Sequence, residues 1–180
     1  FTAEFSVKRM RALAPRIEVI ANQLLDEMIA GGSPADLVAD FAQKFPALVM
    51  CELFGSPYED HHFIMRCAAG RHSLSQTPAT ALTSAQELLE YCRQLIERKC
   101  AAPGDDMLTR LIDAEVRPDN LSVEEFAHIT AMLLRAGHDT TANMISLGTL
   151  VLLQHPAELA ALRADLSLIN GAVEELLRYL

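Results

Sequence analysis

The chain has 180 residues, of which 51% are hydrophobic, and this is enough apolar material for one sizeable core. A formal net charge of −9 without any basic block argues against binding to nucleic acid. The sequence shows no signal peptide, and the charged residues Arg135 and Asp139 interrupt its longest apolar run, so a membrane span is not expected.

Apolar periodicity predicts helices separated by short breaks, and therefore an all-α fold. The helices expected in chain order are 7–29, 41–54, 57–69, a helix that Ser84 caps and that runs to 99, then 107–114, 123–154, 157–164 and 171–179. A loop is expected at 70–78, and 35–38 alone suggests extended structure. The four cysteines form no Cys-x-x-Cys pair, which indicates a reducing, cytoplasmic compartment.

The helix at 123–154 has clear boundary signals. Ser122 followed by Glu125 forms a capping box, and Pro156 ends the apolar pattern. Its centre carries the block Ala-Gly-His-Asp-Thr-Thr at 136–141, which places a glycine, an acid and two β-branched residues in an apolar run. Such a group of broken local rules is typical of a functional or strained site.

The residue types in this block suggest a chemical role. Gly137 would let a flat, bulky group approach the backbone, and Thr140 could donate its hydroxyl to the carbonyl of Ala136. Asp139 beside it adds an acid, and an acid next to an alcohol in an apolar wall could relay protons. The alternative is a kinked core helix in which Thr140 and Asp139 are satisfied locally.

A second motif is Glu175-Leu176-Leu177-Arg178, a Glu-x-x-Arg on one helix face. Alone, such a pair is common on the surface of helices and indicates no particular function. In order after the central block, with Gln-His-Pro-Ala-Glu-Leu at 154–159 between them, it strongly resembles the cytochrome P-450 family. The segments at 1–13, 41–46 and 51–55 also resemble soluble bacterial members, so the resemblance covers the whole chain.

The resemblance implies a P-450-like array of orthogonal helices, with 1–180 as a single partial domain. No stretch fits the family's haem-thiolate pattern Phe-x-x-Gly-x-x-x-Cys-x-Gly, so the cysteine that binds the haem iron is not expected in this chain. The family's haem-propionate helix, which precedes the equivalent of Phe1, and its meander are not matched either. The segment alone is expected to be inactive.

The family's residue roles carry over to matching positions. Ala136 and Gly137 would lie against the haem, and Asp139 and Thr140 would be the acid–alcohol pair that delivers protons during dioxygen activation. Glu175 and Arg178 would be structural. The reaction implied is monooxygenation of a small organic substrate, with electrons from NAD(P)H through a ferredoxin or flavoprotein.

Two further positions are expected to face substrate. Met132 lies one turn before the block, and Arg135 stands where the family usually has an apolar residue. Arg135 would either pair with Asp139 at i,i+4 or recognise a carboxylate or phosphate of the substrate. The loop 71–80 corresponds to the family's substrate-access region, with a plain solvated connection as the alternative.

No pair of histidines has metal-ligand spacing, so no protein metal site is expected, and His138 receives no catalytic role. Two other functions remain open at this point. One is a haem-less helper or binding protein that resembles the family, and the other is a helical scaffold with fortuitous motifs.

Overall fold

The computed structural model describes residues 4–69 and 77–180. Within these ranges the chain is helical and contains no strand, which confirms the expected all-α class. The α-helices are α1 (Val7–Gly31), α2 (Lys44–Phe54), α3 (His61–Ala69), α4 (Pro78–Ala101), α5 (Met107–Leu111), α6 (Val123–Gln154), α7 (Pro156–Ala164) and α8 (Ile169–Tyr179). Short 3-10 helices at Tyr58–Asp60 and Leu166–Leu168 precede α3 and α8, and π-helices cover Val38–Ala42 and Ile112–Val116.

Most predicted boundaries agree with the structure, and α6 agrees at both ends. Ser122 Oγ accepts a hydrogen bond from the Glu125 backbone at 3.2 Å, while Glu125 Oε2 accepts one from the Ser122 backbone at 2.9 Å. This is the predicted capping box. After Gln154 the chain turns through 103° into α7, which has Pro156 in its first turn.

Two local predictions are wrong. Residues 35–38 are not a strand, because Asp36 Oδ1 accepts from the backbone of Val38 and Ala39 at 3.0 Å each and starts the π-helix that leads into α2. Helix α4 begins before Ser84, because Thr77 caps it and Pro78 lies in its first turn. Most of the predicted loop at 70–78 and of the access region at 71–80 lies outside the described residues.

The core lies where α2, α3, α4 and α5 meet the first half of α6. Its largest buried side chains are Phe54, Ile64, Leu88, Leu95, Ile96, Leu108, Leu111, Ile112, Phe126 and Leu134. Burial of each stabilises the fold by roughly 1.5–3 kcal/mol. Helices α7 and α8 contain no buried residue, so the second half of α6 has a much thinner cover.

No single described helix is long and apolar enough to cross a membrane, although the bent pair of α6 and α7 meets that test on length and composition alone.

Candidate active site

Helix α6 stays α-helical through the whole Ala136–Thr141 block, and it presents two different rows of residues four positions apart. The buried row contains Thr130, Leu134, His138 and Ala142. The exposed row contains Met132, Ala136 and Thr140, which span about 12 Å along the helix axis. Arg135 and Asp139 are half-buried and lie between the two rows.

The exposed row, named here the open row, combines three features. Met132 is 60% exposed and apolar, Ala136 carries only a methyl group, and Thr140 adds a hydroxyl. Thr140 Oγ1 donates to the Ala136 carbonyl at 2.7 Å, as the sequence predicts. Because the proton of this hydroxyl points into the helix, its oxygen lone pairs remain available to accept a hydrogen bond from a bound molecule.

Gly137 has a different neighbour from the one its sequence context suggests. A Cβ atom placed on it would lie 2.7 Å from Met50 Sδ and 3.2 Å from Met50 Cε. The missing side chain therefore lets α6 approach α2, and in the described structure the close contact at this glycine is with protein. Ala136, on the open row, is exposed instead.

Asp139 does not contact its alcohol partner directly. Its Oδ1 lies 2.9 Å from His138 Nδ1, whereas Thr140, among the described hydrogen bonds, donates to Ala136 alone. Proton transfer between Asp139 and Thr140 therefore needs a bridging water or a rotation of one side chain.

Arg135 does not form the predicted pair with Asp139. Within residues 4–69 and 77–180 it makes no hydrogen bond or ion pair, and it is half-buried beside the open row.

His138 is the residue that sequence reasoning missed. It is 3% exposed, and its two ring nitrogens contact Asp139 and, at 3.0 Å, the carbonyl of Gln43. Its place in the buried row, four residues from Leu134 and from Ala142, was the available signal, since a buried polar side chain needs a partner. The other described histidines, at 61, 62, 128 and 155, are exposed or half-buried.

Glu175 and Arg178 form an exposed pair on α8. Arg178 Nε and a terminal nitrogen donate to the two carboxylate oxygens at 2.8 and 2.5 Å, which lowers the pKa of the Glu175 carboxyl. Between them, Leu176 lies against α6, with its Cδ1 at 3.5 Å from where a Cβ on Gly148 would be. The pair is 60–70% exposed and lies away from the open row.

The three buried cysteines are poorly suited to bind a metal. Cys51, Cys67 and Cys92 are buried in the core, and burial raises the pKa of Cys51 to about 11 and that of Cys92 to about 12. A metal ligand must be a thiolate, so a raised thiol pKa disfavours that role. Cys100 is exposed on the last turn of α4, and the described residues hold no cluster of three metal-binding side chains.

Comparison with known proteins gives consistent relatives. The chain is 45% identical over 179 residues to cytochrome P450-SU2 of Streptomyces griseolus, which covers 99% of this chain and 43% of that protein. It is 45% identical over 177 residues to pentalenic acid synthase of Streptomyces avermitilis, covering 98% of this chain and 44% of the relative. No family model matches the chain.

Solved structures agree with these relatives. The crystal structure of CYP105P1 in complex with filipin I superposes with a TM-score of 0.92 at 41% identity, covering 99% of this chain and 45% of that one. In all three comparisons nearly the whole chain matches, but it spans less than half of the relative. The chain therefore belongs with the bacterial cytochromes P450 and corresponds to a segment of somewhat less than half their length.

Proposed function

We propose that this chain forms part of a haem-thiolate monooxygenase and that the open row of α6 covers one face of the haem. The observation that carries the proposal is the alignment of Met132, Ala136 and Thr140 on one exposed face, with Asp139 beside them. The methyl group of Ala136 is small enough for a flat ring to approach the helix, and a larger side chain there would collide with it. The next residue, Gly137, is proposed to act indirectly, by letting Met50 of α2 pack closely against this turn of α6.

The side chains of the open row suit one face of a haem, but they provide no ligand for its iron. The open row offers a hydroxyl and apolar contacts, while burial raises the pKa of the Cys51, Cys67 and Cys92 thiols and so disfavours them as iron ligands. Because none of the four cysteines lies in a stretch that fits the haem-thiolate pattern, the thiolate is proposed to come from sequence outside residues 1–180. When bound, the haem would supply the oxidation chemistry, and the protein would supply orientation and protons.

In this proposal Asp139 supplies the protons, and Thr140 holds the molecule that receives them. Thr140 accepts a hydrogen bond from a molecule at the open row through its free lone pairs, because its own proton is committed to Ala136. Asp139, with a side chain that is 22% exposed, exchanges protons with water and passes them on through a bridging water.

The substrate is proposed to be a largely apolar organic molecule. Relatives named vitamin D3 dihydroxylase and pentalenic acid synthase, and a neighbour solved with filipin I, support this class. Met132 provides apolar contact area, and Arg135 is placed to hold a carboxylate where the substrate carries one. An alanine at position 135 should then weaken binding of an acidic substrate more than that of its methyl ester.

The remaining roles follow from the same family membership. Electrons are proposed to come from NAD(P)H through a ferredoxin or flavoprotein in the cytoplasm, and residues 1–180 to be a single partial domain. Glu175 and Arg178 are proposed to be structural, since they lie on α8 away from the open row. The haem-less helper is not favoured, because the named relatives are cytochromes P450 and the acid and alcohol are both present.

The test is a carbon monoxide difference spectrum of the reduced full-length protein and of residues 1–180 expressed alone. The full-length protein should show the Soret shift that marks a thiolate-ligated haem, and residues 1–180 should not. The same shift from residues 1–180 alone would overturn the ligand assignment. Absence of haem from the full-length protein would favour the helper.

A further inference from the structure

The side chain of His138 links two parts of the fold. Its Nε2 atom lies 3.0 Å from the backbone carbonyl of Gln43, 95 positions earlier in the chain, at the end of the π-helix Val38–Ala42. Its Nδ1 atom lies 2.9 Å from Asp139 Oδ1. The His138 side chain is only 4% exposed, so its ring is shielded from water.

The carbonyl fixes the position of one proton. A carbonyl oxygen can only accept a hydrogen bond, so Nε2 must carry a hydrogen. A neutral ring protonated at Nε2 has a lone pair at Nδ1, which would face the Asp139 carboxylate unless a proton lies between them. The 2.9 Å contact therefore holds one proton, as imidazolium with carboxylate or as imidazole with carboxylic acid.

The proton between His138 and Asp139 can exchange with its surroundings on the Asp139 side. On the Gln43 side the ring ends at a carbonyl that cannot take part in proton transfer. The Asp139 side chain is 22% exposed against 4% for His138, so exchange with solvent or a ligand goes through the carboxyl group. Charged groups on the described elements around the pair include Arg135, one turn earlier on α6, and Lys44, which follows Gln43 and pairs with Asp40 at 3.7 Å.

We propose that His138 is a positioning residue for Asp139: anchored by the Gln43 carbonyl, it fixes the carboxyl group and holds the proton that Asp139 passes on. In that step the proton on Nδ1 moves to Oδ1, the ring becomes neutral, and a proton taken up later through Asp139 restores the imidazolium. No electron transfer is involved. This inference rests on the proposed function, because it assigns a source for the protons of that reaction.

Two isosteric substitutions separate positioning from simple packing. In His138→Gln the side-chain amide can still donate to the Gln43 carbonyl, but the contact between position 138 and the Asp139 carboxyl is lost. In His138→Asn the amide can donate to Asp139, but the bond to Gln43 is lost. The measurement is product formed per NAD(P)H consumed by the haem-loaded full-length enzyme, alongside its unfolding free energy.

Positioning predicts that His138→Gln lowers the product yield per NAD(P)H about tenfold, a modest share of what a general acid contributes. His138→Asn should keep the carboxyl in place and lower the yield less, by about threefold. If His138 only packs the two segments together, the order reverses: His138→Asn loses more stability, and the product yield per NAD(P)H is unchanged in both.

Neutron diffraction from the deuterated full-length enzyme gives a readout that does not depend on turnover. Deuterium should appear on Nε2 towards Gln43, and one deuterium should lie between Nδ1 and Oδ1. A bare Nε2, or no deuterium between the ring and the carboxyl, would overturn the inference. A wild-type enzyme without thiolate-ligated haem would instead refute the proposed function, so the two failures are distinguishable.

Discussion

Met50 occupies the space that a side chain at Gly137 would need: a Cβ there would lie 2.7 Å from Met50 Sδ. This contact joins α2 to the centre of α6, one residue away from the His138 bond to Gln43. Helix packing therefore explains the glycine in the block, while the neighbouring Ala136 belongs to the open row.

Replacement of Gly137 by alanine should therefore destabilise the protein by about 1–3 kcal/mol, because Met50 is 7% exposed and has little room to move. The measurement is denaturant unfolding of the full-length protein. In a Met50→Ala background the same change should cost much less, which a double-mutant cycle would show. Gly31→Ala is the control: a Cβ there meets nothing within 4 Å, and at this last residue of α1 the change should alter stability by less than about 0.5 kcal/mol. Equal costs at position 137 in both backgrounds would contradict the contact.

Thr140→Ala should leave haem and substrate binding intact while reducing product per NAD(P)H about tenfold, with the electrons appearing as hydrogen peroxide. The reason is that the substitution removes the hydroxyl whose lone pairs face the open row, at an exposed position where stability changes little. Thr140→Ser keeps the hydroxyl and is the control. An unchanged product yield in Thr140→Ala would argue that the hydroxyl serves only the helix, through its bond to Ala136.

Replacing one partner of the buried ion pair between Lys99 and Asp106 should lower the unfolding free energy more than replacing a partner of an exposed pair. Lys99 Nζ lies 2.5 Å from Asp106 Oδ2, the side chains are 13% and 5% exposed, and Asp106 also caps α5 by accepting from the Thr109 backbone at 2.8 Å. Asp106→Ala leaves a buried ammonium without its partner and should cost about 3–5 kcal/mol in chemical unfolding.

The control for this pair is Asp113→Ala. Asp113 pairs with Arg117 on the surface, with side chains 54% and 49% exposed, so its loss should cost less than about 1 kcal/mol. Similar costs for the two aspartates would show that burial does not set the strength of the Lys99–Asp106 pair.

Because its buried thiols resist ionisation, we expect the protein to lose unfolding free energy at alkaline pH. Burial raises the pKa of Cys51 to about 11 and that of Cys92 to about 12, while a thiol in the unfolded chain has a pKa of about 8.5. Below the unfolded value both states are protonated and stability is unaffected. Above it the unfolded chain alone ionises, so each thiol removes about 1.4 kcal/mol per pH unit until pH reaches its folded pKa.

Unfolding free energies measured between pH 8 and pH 10 test this prediction, with Cys92→Ala as the comparison. The variant should show a shallower decline with pH, whatever its stability at neutral pH. The exposed Cys100 provides the control, since Cys100→Ala should keep the wild-type slope. An identical slope in the wild-type protein and Cys92→Ala would mean that Cys92 ionises equally in both states.

The sequence by itself determined what depends on neighbours along the chain. The ends of α6 follow from the Ser122–Glu125 capping box and from Pro156, and the Thr140 bond to Ala136 follows from a spacing of four residues on a helix. The family resemblance also indicated Asp139 and Thr140 as the candidate acid and alcohol, and it led us to expect no iron-binding cysteine in this chain. These features required no knowledge of which helices touch.

Only the tertiary structure decided which of these residues face protein. Gly137 meets Met50, His138 reaches Gln43, and Arg135 does not pair with Asp139, although spacing alone allowed that pair. Helical periodicity tells which residues share a face of α6, but the partner of that face comes from segments almost a hundred residues away. Their packing sets burial, and burial fixes which side chains must find a partner inside the protein.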